Sequence, residues 1–235
     1  MSEMPLSLRD RLAVLKGDLE SQFRAVQKSV ELALDALFEK DVKKAQEVID
    51  GDEAIDARDV LIEKGAVSLL QEAARQADSD LSEHDIRLVL TIVKVNNEAE
   101  RVADLAVGIA EHVQSIWNLD ERPPTTFRVM GNSIIGILEN TNRAFARMDA
   151  ESARIVLASD DTTDAFKIAI LREVEVGLAA GKHTVDFAFA LNTIAAALRR
   201  IGDHCTNVAE QIIYVATGKI VRHQGNKWTD PIEPG

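Results

Sequence analysis

The same pattern of alanine, valine and aspartate residues occurs twice in this chain of 235 residues, at an offset of 108 positions. It reads Ala-x-x-Val-x-x-x-Asp-x-x-x-Asp and begins at Ala45 and again at Ala153. A second pattern also recurs, at an offset of 99, as "ERVADLAVGIAE" at 100–111 and "RRIGDHCTNVAE" at 199–210. Two patterns repeated in the same order predict two structural units of the same kind.

Apolar residues within each repeat recur at steps of three and four, which is typical of amphipathic α-helices. Asp41 and Ser82 stand where helix N-caps are expected, and Gly181 and Gly218 stand where helices are expected to end. With little aromatic and proline content, the sequence predicts an all-α fold. The predicted helices cover residues of about 7–39, 41–76, 82–117, 126–148, 150–180 and 184–217.

A double proline in "LDERPPTT" (119–126) divides the chain, because proline cannot continue a helix and disfavours helical backbone before it. We therefore expect two tandem three-helix bundles related by the internal repeat. The predicted boundaries are 1–120 for the first unit, 121–220 for the second and 221–235 for a loose C-terminal tail.

Charge and cysteine content limit the partners and the compartment. The net charge of −12 argues against nucleic acid or anionic lipid as a partner, since both are bound through clustered Lys and Arg. A single cysteine cannot form an intramolecular disulfide, and neither an N-terminal signal peptide nor an apolar run long enough to span a membrane is evident. A cytoplasmic location is expected.

Pairs of carboxylates stand four residues apart on the predicted helices, where their side chains are neighbours and repel each other. If the second and third helices of a unit are antiparallel, two such pairs face each other and form an oxygen-rich site suited to Mg²⁺, Ca²⁺, Mn²⁺ or iron. Structural zinc and copper fit less well. The candidate metal ligands are Asp52, Asp56, Glu100 and Asp104 in the first unit and Asp160, Asp164, Asp203 and Asn207 in the second.

The alternative interpretation is that these acids form a solvated surface, with Arg101 and Arg200 paired to nearby carboxylates. Arg199 replaces Glu100 in the second repeat and weakens any cation site there, whereas Asn207 adds an amide oxygen where the first repeat has Gly108. Cys205 is expected to pack in the core.

Sequence motifs for catalysis are missing. The chain has no phosphate-binding loop, no Gly-x-Ser-x-Gly elbow and no His-Glu-x-x-His zinc helix. No histidine is spaced with a carboxylate as Glu-x-x-His, the usual signature of di-iron bundles. The sequence therefore favours a binding or regulatory protein.

The repeated "ERVAD…IAE" and "RRIGDHCTNVAE" resemble the paired "ERIGD-x-x-x-NIAE" signature of the PhoU family, the regulators of bacterial phosphate uptake. "FARMD" at 145–149 and "YVATGKIVRH" at 214–223 extend the likeness over nearly the whole chain. The resemblance implies two three-helix bundles without catalytic activity. It also implies a role in restraining phosphate import and phosphate-starvation signalling, and metal clusters, iron among them, on Glu/Asp-x-x-x-Asp motifs.

The partners implied by the resemblance are the ATPase of the phosphate ABC transporter and a membrane sensor histidine kinase. The membrane is then reached only through these partners. Apolar residues on more than one helix face, as in "FAFALNTIAAAL" (187–198), predict a second buried contact, either between the two units or in a homodimer. Two other functions remain open from the residues: a metal-dependent bundle enzyme, such as an oxidase or a phosphohydrolase, and a purely structural helical scaffold.

Overall fold

A computed structural model describes residues 6–76, 79–224 and 227–229, with side chains described through residue 221. The described chain forms seven α-helices and one short antiparallel hairpin. The helices are α1 (Leu8–Glu39), α2 (Val42–Arg75), α3 (Glu83–Ile116), α4 (Thr125–Arg147), α5 (Ala150–Leu157), α6 (Asp160–Ala179) and α7 (Val185–Thr217), and the strands are β1 (Arg222–Gln224) and β2 (Lys227–Thr229).

Local sequence explains most helix ends. Asp41 and Ser82 accept backbone N–H bonds at the starts of α2 and α3, so both predicted N-caps are confirmed. Gly218 ends α7 in the left-handed region at φ 72°, as predicted. Lys40 and Met148 end α1 and α4 in the same left-handed conformation, at equivalent positions of the two repeats.

The middle helix of the second unit differs from the sequence prediction. A single helix over 150–180 was expected, but the structure divides it into α5 and α6 at Ala158 and Ser159. The backbone tightens there, because Ser159 donates both its N–H and its hydroxyl to the carbonyl of Val156. The aligned position in the first unit, Gly51, lies inside the continuous helix α2.

Helices α1–α3 form the first unit and α4–α7 form the second, and the two units pack through their inner helices. In the pair α1 and α4, Lys16 bonds the carbonyl of Ala146 and Gln27 bonds Asn142, so the two helices run antiparallel. Helix α3 packs against α7 over an extended contact. Helix α2 lies outside α1 and α3, and α5 and α6 lie outside α4 and α7.

One continuous hydrophobic core runs through both units. Leu19, Ile92, Ile134 and Leu198 are each at most 1% exposed and represent the four inner helices. Burying such a side chain contributes about 1.5–3 kcal/mol, so the shared core holds the two units together as well as each unit separately.

The predicted loose tail contains the hairpin of β1 and β2, in which His223 pairs with Trp228. The remainder of that tail, 225–226 and 230–235, lies outside the described residues. Among the described residues, no helix has both the length and the apolar character of a membrane-spanning segment.

Candidate functional site

Four carboxylates of the first unit come together where α2 packs on α3; we call Asp52, Asp56, Glu100 and Asp104 the first cluster. Burial, with the charges of Asp56 and Asp104, raises the pKa of Asp52. Burial and the charge of Asp104 also raise the pKa of Glu100, although Arg101 opposes that shift. The two carboxylate pairs therefore interact across the helix contact, as the antiparallel arrangement predicted.

Two oxygen atoms of the first cluster lack hydrogen-bond partners. Oδ1 of Asp52 and Oε2 of Glu100 are buried without a donor, and the nearest cation to the latter is Nε of Arg101 at 3.4 Å. A buried carboxylate oxygen without a donor is unfavourable, and a bound cation is one way to stabilise it. Arg101 also lies 3.2 Å from Asp104, which confirms the predicted pairing of Arg101 with nearby acids.

Two further residues of this neighbourhood, Asp59 and Asn96, were not among the predicted ligands. The amide of Asn96 donates to the Asp59 carboxylate at 2.6 Å and to its backbone carbonyl at 3.0 Å. The charge of Asp59 contributes to the raised pKa of Glu100. Helical spacing could have predicted both residues, because Asp59 lies seven residues after Asp52 and Asn96 lies four before Glu100, on the same helix faces.

The acids of the second unit surround an arginine. Asp160, Asp164 and Asp203, with Arg199, form what we call the second cluster. Arg199 donates through Nε to Asp164 and through Nη1 to Asp203, both at 2.6 Å. Burial raises the pKa of Asp203, and the charge of Arg199 opposes that shift. These acids thus have a cation of their own.

Asn207, the fourth candidate ligand of the second unit, is directed elsewhere. Its amide donates to Oε2 of Glu98 on α3 at 3.1 Å, and Nδ1 of His204 lies 2.6 Å from the same oxygen. These contacts join α3 to α7 between the two units. Cys205, next to His204, is buried as predicted, and burial raises the pKa of its thiol to about 12.

Each of the two units matches a known protein family. The family model described as "PhoU domain" matches residues 19–113 and again 127–212, one match in each unit. The chain belongs to the PhoU family. The predicted resemblance and the all-α fold of two repeated units are therefore confirmed, with the middle helix of the second unit divided into α5 and α6.

Similarity to individual PhoU proteins extends over most of the chain. A Pseudomonas putida relative, called a phosphate-specific transport system accessory protein PhoU homolog, is 32% identical over 86% of this chain and 77% of its own. The Escherichia coli K12 protein called phosphate-specific transport system accessory protein PhoU is 27% identical over 97% of this chain and 90% of its own. The crystal structure of PhoU from Pseudomonas aeruginosa matches with a TM-score of 0.83 at 28% identity, covering 90% of this chain and all of that one.

The metal clusters implied by the PhoU resemblance fit the two units differently. In the first cluster the carboxylate donors and the two oxygens without partners suit a hard divalent cation. In the second, Arg199 already contacts two of the three acids, so these residues suit a metal ion less well than those of the first cluster. Among the residues that the structure describes, no three His, Cys, Asp or Glu side chains are arranged to hold a metal ion, so coordination at the first cluster requires side-chain movement.

Proposed function

We propose that this chain is a non-catalytic regulator of phosphate uptake that acts with the phosphate transport system. The observation that carries the proposal is the PhoU match in each unit, together with accessory-protein relatives aligned over most of their own length. Those relatives are named as accessory proteins of a transport system. The family relationship therefore favours a regulator over the metal-dependent oxidase or phosphohydrolase considered from the carboxylates alone.

Deletion of the gene tests this function directly. In phosphate-rich medium, the deletion is expected to raise expression of phosphate-starvation genes, and a plasmid copy of the wild-type gene is expected to restore repression. Reporter output that stays unchanged in the deletion strain would contradict the proposal. Comparing the same strains in phosphate-poor medium controls for a general effect on transcription.

We further propose that the ATPase of the phosphate ABC transporter and the phosphate sensor histidine kinase are its direct partners, in the cytoplasm. The net charge of −12 supports contact with proteins over direct contact with nucleic acid or anionic lipid. A tagged copy, recovered from phosphate-rich cells after crosslinking, is expected to retain one or both partners. Recovery of neither, with the tagged copy still complementing the deletion, would remove this part of the proposal.

The first cluster is proposed to bind iron or another divalent cation such as Mn²⁺, Mg²⁺ or Ca²⁺, through Asp52, Asp56, Glu100 and Asp104. Its two buried oxygens without hydrogen bonds support this role, since a cation offsets the repulsion among the four acids. Elemental analysis after reconstitution is expected to show metal in the wild type and little in Asp104→Ala. Glu111→Ala is the matched control, because Glu111 is an exposed acid on the same helix as Asp104. Equal metal content in Asp104→Ala and the wild type would remove the site.

A homodimer is also proposed. Val185 and Phe189 lie one turn apart on α7 and are 68% and 69% exposed, beside a groove formed with the end of α3. Exposed apolar side chains of this size favour burial in an interface. Sedimentation velocity is expected to give a dimer for the wild type and a shift toward monomer for Phe189→Ser. A monomeric wild type at micromolar concentration would contradict the proposal.

A further inference from the structure

The second cluster differs from the first at positions that the repeat makes equivalent. Arg199 stands at the position of Glu100, at the offset of 99. Lys167 stands at the position of Asp59, at the offset of 108. Two acids of the first unit are thus replaced by cations in the second, while Asp160, Asp164 and Asp203 keep the positions of Asp52, Asp56 and Asp104.

Arg199 lies between the two helices that supply those acids. One guanidinium nitrogen bonds Asp164 on α6 and another bonds Asp203 on α7, each at 2.6 Å. The Arg199 side chain is 34% exposed, whereas Arg101 beside the first cluster is 52% exposed and contacts acids of α3 alone, at 3.2 and 3.4 Å. Charge-assisted bonds to two carboxylates on different helices satisfy the same acids that a bound cation would have to hold.

The helix break in the second unit adds to this difference. Asp160 lies in the first turn of α6, whereas the equivalent Asp52 lies inside α2. A carboxylate in the first turn of a helix is stabilised by the unpaired N–H groups there. The pKa of the Arg199 guanidinium is raised, first by its hydrogen bond to Asp164 and then by the charge of Asp203, which agrees with a tightly held cation.

We propose that Arg199 is the built-in cation of the second unit, holding Asp164 and Asp203 in place of a metal ion, so that this unit binds no metal. The two halves of this protein then differ in kind: any metal response belongs to the first cluster alone. The inference concerns the second unit and holds whether or not the first cluster binds metal.

The experiment uses a chain in which the first cluster is disabled, so that any bound Mn²⁺ can be assigned to the second cluster. In the full chain carrying Asp52→Asn and Glu100→Gln, no bound Mn²⁺ is expected after loading and desalting. Adding Arg199→Glu recreates in the second unit the carboxylate set of the first, and about one Mn²⁺ per chain is then expected. Arg200→Glu, added instead, is the matched control: it makes the same charge change at an exposed neighbouring residue, and no Mn²⁺ is expected.

Two results would overturn the proposal. One is Mn²⁺ bound by the chain with Arg199 intact and lost when Asp164→Asn is added. The other is a folded Arg199→Glu chain, judged by its helical circular dichroism, that binds no more Mn²⁺ than the Arg200→Glu control.

Thermal unfolding keeps the proposal testable if Arg199→Glu does not fold. In the same background, Arg199→Gln is expected to lower the unfolding midpoint by a few degrees and Mn²⁺ is expected to restore it, while Arg199→Lys, which keeps a tethered charge, stays nearer the parent. Equal midpoints for the Gln and Lys variants, with no effect of Mn²⁺ on either, would show that Arg199 does not act as a cation.

Discussion

At the scale of single residues, Asp52 stabilises the fold less when it is charged. Its pKa is raised by burial and by Asp56 and Asp104, so the folded chain binds a proton more readily than the unfolded chain. Stability contributed by this group is therefore present below the ordinary carboxyl pKa and is lost as the pH rises through the higher pKa of the folded state. The metal-free protein is accordingly expected to be destabilised at neutral pH by its own candidate site.

Asp52→Asn is expected to raise the free energy of unfolding of the metal-free protein by about 0.5 kcal/mol at pH 7, the size of a like-charge helical pair. The gain is expected to shrink toward zero as the pH falls to about 3, below the ordinary carboxyl pKa, where the aspartate is largely protonated in the folded and unfolded chain. Urea unfolding at both pH values measures it. Glu53→Gln is the control, and an equal gain in that variant would show that general charge reduction is responsible.

Close packing against His183 explains why residue 177 is a glycine. A Cβ at this position on α6 would meet the ring of His183, which packs on Phe187 with ring centroids 5.2 Å apart. Gly177→Ala is expected to lower the free energy of unfolding by about 1–3 kcal/mol through overpacking. Gly136→Ala, where nothing lies within 4 Å of the added carbon, is expected instead to stabilise α4 by about 0.5–1 kcal/mol. Chemical denaturation of both variants decides, and stabilisation by both would contradict the packing argument.

At the scale of elements, the connection between the units is fixed to the start of α7. Glu121 accepts bonds from the backbone N–H and the hydroxyl of Thr184, the N-cap of that helix, at 2.6 and 2.8 Å. Its carboxylate is 14% exposed and also lies 3.4 Å from His183. Glu121 therefore attaches the proline-containing connection to the second unit.

Glu121→Ala is expected to cost about 1–3 kcal/mol of unfolding free energy, because it removes the charged acceptor of two hydrogen bonds at the N-cap of α7. Asp120→Ala removes an exposed acid one residue earlier and is expected to change stability by less than about 0.5 kcal/mol. Denaturant midpoints of the two variants provide the measurement. Similar midpoints would mean that the bonds to Thr184 add little.

The sequence allowed most elements to be predicted, because helical periodicity and capping residues are local signals. Asp41, Ser82 and Gly218 marked helix ends without any knowledge of the fold. The division between α5 and α6 was missed, since "IVLASDDTTDA" (155–165) contains neither glycine nor proline. There the Ser159 hydroxyl donates to the carbonyl of Val156. Whether this bond forms in place of a continuous helix depends on how α4 and α7 pack around the segment.

The candidate site could be predicted only where its residues lie on one unit. Spacing on neighbouring helices brought the first cluster together, and the repeat alignment indicated that Arg199 would disturb the second. The partner of Asn207 could not be predicted in this way. Glu98 lies 109 residues away in the other unit, and only the packing of α3 on α7 brings the two side chains together.

At the scale of the whole molecule, the shared core and the Glu98 contacts make the two units depend on each other. Oε2 of Glu98 lies 2.6 Å from Nδ1 of His204 and accepts from Asn207 at 3.1 Å, next to the continuous hydrophobic core. The Glu98 and His204 side chains are 21% and 16% exposed, so water does not fully replace a lost partner. Truncating either side chain therefore weakens the contact between units as well as its own unit.

A double-mutant cycle measures this dependence. Glu98→Ala and His204→Ala are each expected to destabilise the protein, and the double variant is expected to lose less than their sum, with a coupling of about 0.5–3 kcal/mol. Glu98→Ala combined with Arg200→Ala is the control cycle, since Arg200 is exposed on α7 one turn from His204, and it is expected to be additive within about 0.5 kcal/mol.

Because one core runs through both units, the wild type and all variants are also expected to unfold in a single transition by circular dichroism and tryptophan fluorescence. Two separated transitions in the wild type, or additivity in both cycles, would show that the units are independent and that the Glu98 contact does not join them energetically.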